Sequence, residues 1–111
     1  MKKVVSFSLW GNDPKYNVGI IENSKLRTQI YPDWKTVIYL GQSTPSSTVS
    51  SLKSIPDTDL VFMDSAGDWT GMFWRFLPAF DPNVDIMISR DADSRLSNRE
   101  KDAVDEAVGI S

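Results

Sequence analysis

The chain has 111 residues, a formal charge of −3, four tryptophans, and neither cysteine nor histidine. That length fits one domain, and a hydrophobic content of 41% fits a packed core rather than a disordered chain. Disulfides, thiolate nucleophiles, Cys/His zinc centres and His-dependent triads are excluded. Chemistry falls to carboxylates, hydroxyls, Lys, Arg and backbone, and any metal to a hard, oxygen-bound cation.

Charge is divided along the chain: residues 1–56 carry seven Lys/Arg against three Asp/Glu, and residues 57–111 five against twelve. No basic stripe accompanies the aromatics, which argues against a nucleic-acid partner. The acidic second half repels a phosphate ligand unless a cation lies between them. Met1-Lys2-Lys3 and the apolar residues after it imitate a signal peptide briefly. Gly11-Asn12-Asp13-Pro14 then ends the stretch without a small-residue cleavage site. With no apolar run long enough to span a membrane, the expectation is a soluble, cytoplasmic protein.

In chain order, Val4–Leu9 reads as a first strand. Asn12-Asp13-Pro14-Lys15-Tyr16-Asn17 follows. Asp13 and Tyr16 there can hold a base by hydrogen bond and stacking, but the residue types favour a β-turn with Pro at its second position and Tyr partly packed in the core. Tyr16–Ile30 has roughly helical spacing at Val18, Ile21, Leu26 and Ile30. Thr36–Leu40 is a second strand. The Ser/Thr cluster at 43–51 looks like a loop leading into a short helix, Thr44–Ser54, capped by Thr44 with Pro45 in its first turn. Leu60–Met63 is a third strand. Trp69, Met72, Phe73, Phe76, Leu77 and Phe80 then form one face of an amphipathic helix, capped by Asp68 or Thr70 and ended or kinked at Pro78. Its aromatics Trp69, Phe73, Phe76 and Phe80 are expected in the core, and Trp10 and Trp34 are expected to pack. Arg75 lies off that stripe, and spacing leaves open whether it faces a site or pairs at the surface. A fourth strand, Asp85–Ser89, precedes a last helix with the capping-box spacing Ser97-Asn98-Arg99-Glu100 and an apolar side of Ala103, Val104, Ala107 and Val108.

The apolar runs are not strictly alternating, as strands buried on both faces read. The order β-α-β-α-β-α-β-α predicts a single α/β domain over 1–111, with a mostly parallel four-stranded sheet and helices on both faces. Ligands of such sheets sit beyond the carboxyl ends of the strands, and three of the four ends here carry acids.

The sharpest motif follows the fourth strand: Arg90-Asp91-Ala92-Asp93-Ser94-Arg95. Carboxylates two residues apart can converge on one divalent cation, with the nearby arginines reaching a polyphosphate. The same residues suit a solvated turn in which Asp91 caps the next segment, but their place past a buried strand favours the site. An EF-hand loop is ruled out by Arg95 and Leu96 at its fifth and sixth positions. An aspartyl-phosphate phosphatase is a distant second, since its other catalytic elements lie downstream and only 18 residues follow Asp93. Gly67, Gly71 and Gly109 form no phosphate-binding loop.

Trp74-Arg75-Phe76-Leu77-Pro78, Asp81-Pro82, Val84–Ser89 and Asp91-Ala92-Asp93 together resemble the nucleotide-sugar glycosyltransferases of the GT-A fold, most of all the glycogenin-like and lipopolysaccharide-galactosyltransferase-like group. The start is similar too, with a strand, Asn12-Asp13, Tyr16, Gly19 and Leu26-Arg27, although the Asp and Tyr stand one residue closer in that family. The resemblance implies that Asp91 and Asp93 bind Mn²⁺ or Mg²⁺ and through it a nucleoside diphosphate. It implies a cradle for the base in Leu9, Trp10, Asp13 and Tyr16, with Asp68, Arg75 and Arg90 near the phosphates or sugar. The reaction implied is glycosyl transfer from a nucleotide-sugar donor, most often a UDP-sugar, to a hydroxyl of a glycan or small-molecule acceptor. Members of this group are about twice as long and draw a His metal ligand from their second half. The chain is therefore expected to be the donor-binding half, either cut short or a minimal half-domain that forms a homodimer. The alternatives are a non-catalytic nucleotide- or metal-binding module and a plain interaction domain.

Overall fold

Side chains along β1 (Lys3–Leu9) alternate between two environments, and this alternation sets the two faces of the sheet. Val5, Phe7 and Leu9 enter the main hydrophobic core, whereas Ser8 on the other face accepts a hydrogen bond from the Arg75 amide. The computed structural model of the chain describes residues 2–64, 69–90, 96 and 102–105, with the backbone alone for 69–72. After β1 come α1 (Pro14–Ile30), β2 (Lys35–Leu40), α2 (Ser46–Lys53), β3 (Thr58–Phe62), a 3-10 helix (Trp69–Phe80) and β4 (Ile86–Ser89). Residues 102–105 are helical.

The sheet has the order β3-β2-β1-β4, and all of its pairings are parallel. Helices α1 and α2 cover one face, contributing Ile20, Ile30 and Leu52 to the core with Phe7, Ile38 and Leu40. The 3-10 helix lies on the face that carries Ser8, so helices do occupy both faces. Leu96 and Val104 join the core on the α1 side, where the Leu96 amide donates to Asn23 Oδ1 at 3.0 Å.

Helix α1 begins at Pro14 rather than at Tyr16, because Asp13 is its N-cap: the carboxylate accepts the Lys15 amide at 3.0 Å. This capped helix start replaces the expected β-turn and leaves Tyr16 exposed on the first turn. The buried side of α1 includes Asn17, Asn23, Ser24 and Arg27, which explains its faint apolar periodicity.

Helix α2 corrects a cap. Pro45 holds the cap position without a side-chain bond, and the Thr44 hydroxyl instead donates to the Leu9 carbonyl at 3.4 Å. Strand β3 corrects a burial: among the described residues it is an edge strand, with Val61 and Phe62 exposed, not a strand covered on both faces.

The largest departure is Trp69–Phe80. It is a 3-10 helix through Pro78, and Thr70 lies inside it rather than at its cap. At about three residues per turn, positions three apart eclipse one another instead of drifting around the axis. Arg75 and Pro78 therefore share a ridge turned toward the sheet, and Phe73, Phe76 and Ala79 share one turned to solvent. Phe73, Phe76 and Phe80 are exposed, as is Leu77, which overturns the assignment of these three aromatics to the core, and the Trp69 side chain lies outside the described residues. Asp68 and Ser97–Glu100, proposed as caps, lie outside the described residues.

Candidate functional site

The strand order reverses at β1, with β2 on one side and β4 on the other. In open parallel sheets the ligand crevice lies at such a reversal, beyond the carboxyl ends of the strands. Three elements meet there. The β4 ladder continues past its last residue, where the Arg90 amide donates to the Ser6 carbonyl at 3.0 Å. The 3-10 helix is tied down where the Arg75 amide donates to Ser8 Oγ at 2.8 Å. Trp10, just past β1, meets Trp74 edge to face with ring centroids 5.9 Å apart. Trp10, Arg75 and Arg90 thus come to one end of one strand, all of them half-buried, with the Arg75 guanidinium 5.2 Å from the Phe76 ring centroid.

Close approach here depends on small side chains. Ser6 and Ser8 on β1, with Ser89 opposite Ser6 on β4, keep that face of the sheet shallow. A larger residue at Ser8 would push the Arg75 ridge away and remove the hydroxyl that anchors it.

The loop after β1 is held from the α2 side. Gly11 has φ +76°, a left-handed conformation that favours glycine. Its amide donates to Ser43 Oγ at 2.7 Å, and the Leu9 carbonyl accepts the Gly41 amide at 2.8 Å. Asn17 Nδ2 donates to the carbonyls of Gly11 and Asp13, at 3.1 and 2.9 Å, and Thr48 Oγ1 donates to Asn17 Oδ1 at 2.8 Å. Beside this loop a cleft of about 300 Å³ opens between the ends of β2 and β3 and α2, lined by Gly41, Gln42, Thr44, Ser50, Lys53 and Phe62 among others.

Of the residues read from the sequence, Leu9 is buried in the core, while Asp13 and Tyr16 stand exposed at the start of α1. Trp10, Arg75 and Arg90 flank the end of β1. Asp68, Asp91 and Asp93 lie outside the described residues, and among the described ones no three acidic side chains gather to hold a metal. Asn17, Ser43 and Thr48 escaped sequence reasoning. Hydroxyl and amide residues occur so often in turns and helix ends that nothing marks a buried one. Among the described residues no helix is long and apolar enough to cross a membrane. No family model, curated protein or solved structure matches the chain.

Proposed function

We propose that the chain is the donor-binding half of a metal-dependent glycosyltransferase of the GT-A type, which takes a nucleotide-sugar, a UDP-sugar first among candidates. The observation that carries this reading is the reversal of strand order beside β1. Trp10, Arg75 and Arg90 flank that point, and Asp91-Ala92-Asp93 follows Arg90 directly in the chain. Two carboxylates with no His or Cys partner are hard oxygen donors, which suit Mn²⁺ or Mg²⁺. Asp91 and Asp93 would hold that ion, which when bound offsets the charge of a diphosphate as it departs. Arg75 and Arg90 add fixed positive charge for the same oxygens. The loop from Trp10 to Asp13 and the first turn of α1 receive the base, with Trp10 and Tyr16 offering ring faces and Asp13 a carboxylate. In the transfer, the bond from the anomeric carbon to the diphosphate oxygen breaks and one to the acceptor oxygen forms. The acceptor hydroxyl gives up its proton, and nucleoside diphosphate leaves.

The test is a thermal-shift titration with UDP and GDP and their sugar conjugates, with and without Mn²⁺, on the wild type and on Asp91→Asn/Asp93→Asn. Ligand at about a hundred times its Kd adds about 2.7 kcal/mol, which is several degrees for a domain of this size. A shift that needs both metal and nucleotide, and that the double substitution abolishes, is expected. No shift with any nucleotide, or one indifferent to the carboxylates, overturns the reading. Slow hydrolysis of the sugar nucleotide separates a transferase from a module that only binds.

A further inference from the structure

The Ser/Thr-rich stretch between β2 and the end of α2 has a use that its composition does not announce. Three of its hydroxyls reach across to the end of β1, the loop after it and the start of α1. Ser43 Oγ accepts the Gly11 amide, Thr44 Oγ1 donates to the Leu9 carbonyl, and Thr48 Oγ1 donates to Asn17 Oδ1. We infer that Asn17, held by Thr48, is the positioning residue that sets the conformation of the Gly11–Asp13 loop, and through it the affinity of the site for its nucleotide. The affinity part of this inference rests on the function proposed above.

The geometry is specific. Asn17 is 7% exposed and stands one turn past the cap of α1. A neutral amide has a donating and an accepting end, and here each end has matching partners. The nitrogen faces the carbonyls of Gly11 and Asp13, and the oxygen faces the Thr48 hydroxyl. Thr48 is itself buried, so its donor and the Asn17 acceptor are bound to each other rather than to water.

Drawing the Gly11 carbonyl down toward α1 has a consequence on the opposite side of the peptide. In a planar trans peptide the C=O and N–H point in opposite directions, so the Asn12 N–H is aimed away from α1. The left-handed Gly11 makes this turn of the chain available, and the Ser43 hydroxyl occupies the preceding amide. The loop therefore presents one outward amide, at Asn12, held in place without a ligand. A donor fixed in advance costs no reordering on binding.

Thr48→Val keeps the size and branching of the side chain and removes only the hydroxyl. Thr48→Ser restores the hydroxyl, and Asn17→Asp replaces the donating end by an oxygen facing two carbonyls. Two readouts apply to each variant: hydrogen exchange at the Gly11 amide without ligand, and UDP affinity with Mn²⁺ by calorimetry. Thr48→Val is expected to accelerate exchange at Gly11 and weaken UDP binding, each on the order of tenfold. Asn17→Asp is expected to do more, and Thr48→Ser to return both values to within about twofold of wild type.

Should Thr48→Val and Asn17→Asp lower Tm yet leave Gly11 exchange unchanged, the pair is structural support only and the inference falls. Faster exchange with unaltered UDP affinity refutes the link to binding. A wild type that binds no nucleotide overturns the proposed function and the link to affinity, while Gly11 exchange still decides whether the pair sets the loop.

Discussion

Trp10 and Trp74 meet edge to face, ring centroids 5.9 Å apart and planes at 71°, and so join the end of β1 to the 3-10 helix that carries Arg75. Edge-to-face aromatic pairs contribute about 0.5–1.5 kcal/mol beyond the area they bury. A double-mutant cycle with Trp10→Leu and Trp74→Leu, read by chemical denaturation, should return a coupling of about that size. Strict additivity of the two substitutions would mean that the rings touch without fastening the helix.

Arg27 is the largest fully buried side chain, 1% exposed, and it has no carboxylate in hydrogen-bond contact among the described residues. Its Nε donates to Thr36 Oγ1 at 2.8 Å, and its remaining nitrogens donate to the carbonyls of Trp34 and Pro56. One side chain thus ties α1 to the start of β2 and to the turn before β3. Burial lowers its pKa below the ordinary guanidinium value, while the charge of nearby Asp57 raises it. A depressed base releases its proton before the unfolded chain does, so its charging penalty is relieved only at strongly alkaline pH and is constant across neutral pH. Thr36→Val strands one charged donor and should cost about 1–3 kcal/mol. Arg27→Ala should cost more, about 3–5 kcal/mol, because it leaves several buried acceptors without a donor. Urea titrations of both variants check the order. A cost for Arg27→Ala below that for Thr36→Val would contradict the tie.

Tyr39 gives the fold an alkaline limit. Burial, and secondarily the negative charge of Asp81, push its phenol above 10.0. The folded form therefore holds this proton more tightly than the unfolded form does. Its contribution is complete below pH 10 and is lost as pH rises through the raised folded-state value. Denaturation midpoints measured from neutral to strongly alkaline pH should fall more steeply for wild type than for Tyr39→Phe. Identical slopes would show that the phenol titrates alike in both states.

The four strands could be read from their apolar runs to within two residues, because burial of the sheet selects Val, Ile, Phe and Leu whichever helix lies above. The apolar run marks β3 as a strand but not that Val61 and Phe62 are exposed, since nothing in Leu60-Val61-Phe62 says that, among the described residues, only β2 pairs with it. The loop after β1 could be placed in advance as a candidate site from its position. Its bracing could not, because the partners of Gly11 and Asn17 lie 32 and 31 residues away in the chain. The aromatic stripe failed for a geometric reason. A period of about 3.6 puts Phe73, Phe76 and Phe80 on one buried face, whereas a period of about three keeps Phe73 and Phe76 on one exposed ridge, moves Phe80 to the next and turns Arg75 and Pro78 inward.

That rotation makes a sharp contrast between two phenylalanines. Phe80, 83% exposed at the end of the 3-10 helix, has little apolar contact to lose, and Phe7, 0% exposed in the middle of β1, is enclosed by α1 and the sheet. Phe80→Ser should change stability by no more than about 0.5 kcal/mol. Phe7→Ala should cost about 3–5 kcal/mol by lost burial and the cavity left behind. Were Trp69–Phe80 an ordinary α-helix with its aromatic stripe packed down, the two costs would be alike. Thermal or urea unfolding of the two variants therefore tests the period of this helix. A loss of more than about 2 kcal/mol for Phe80→Ser would return the stripe to the core and, with it, move Arg75 away from the end of β1.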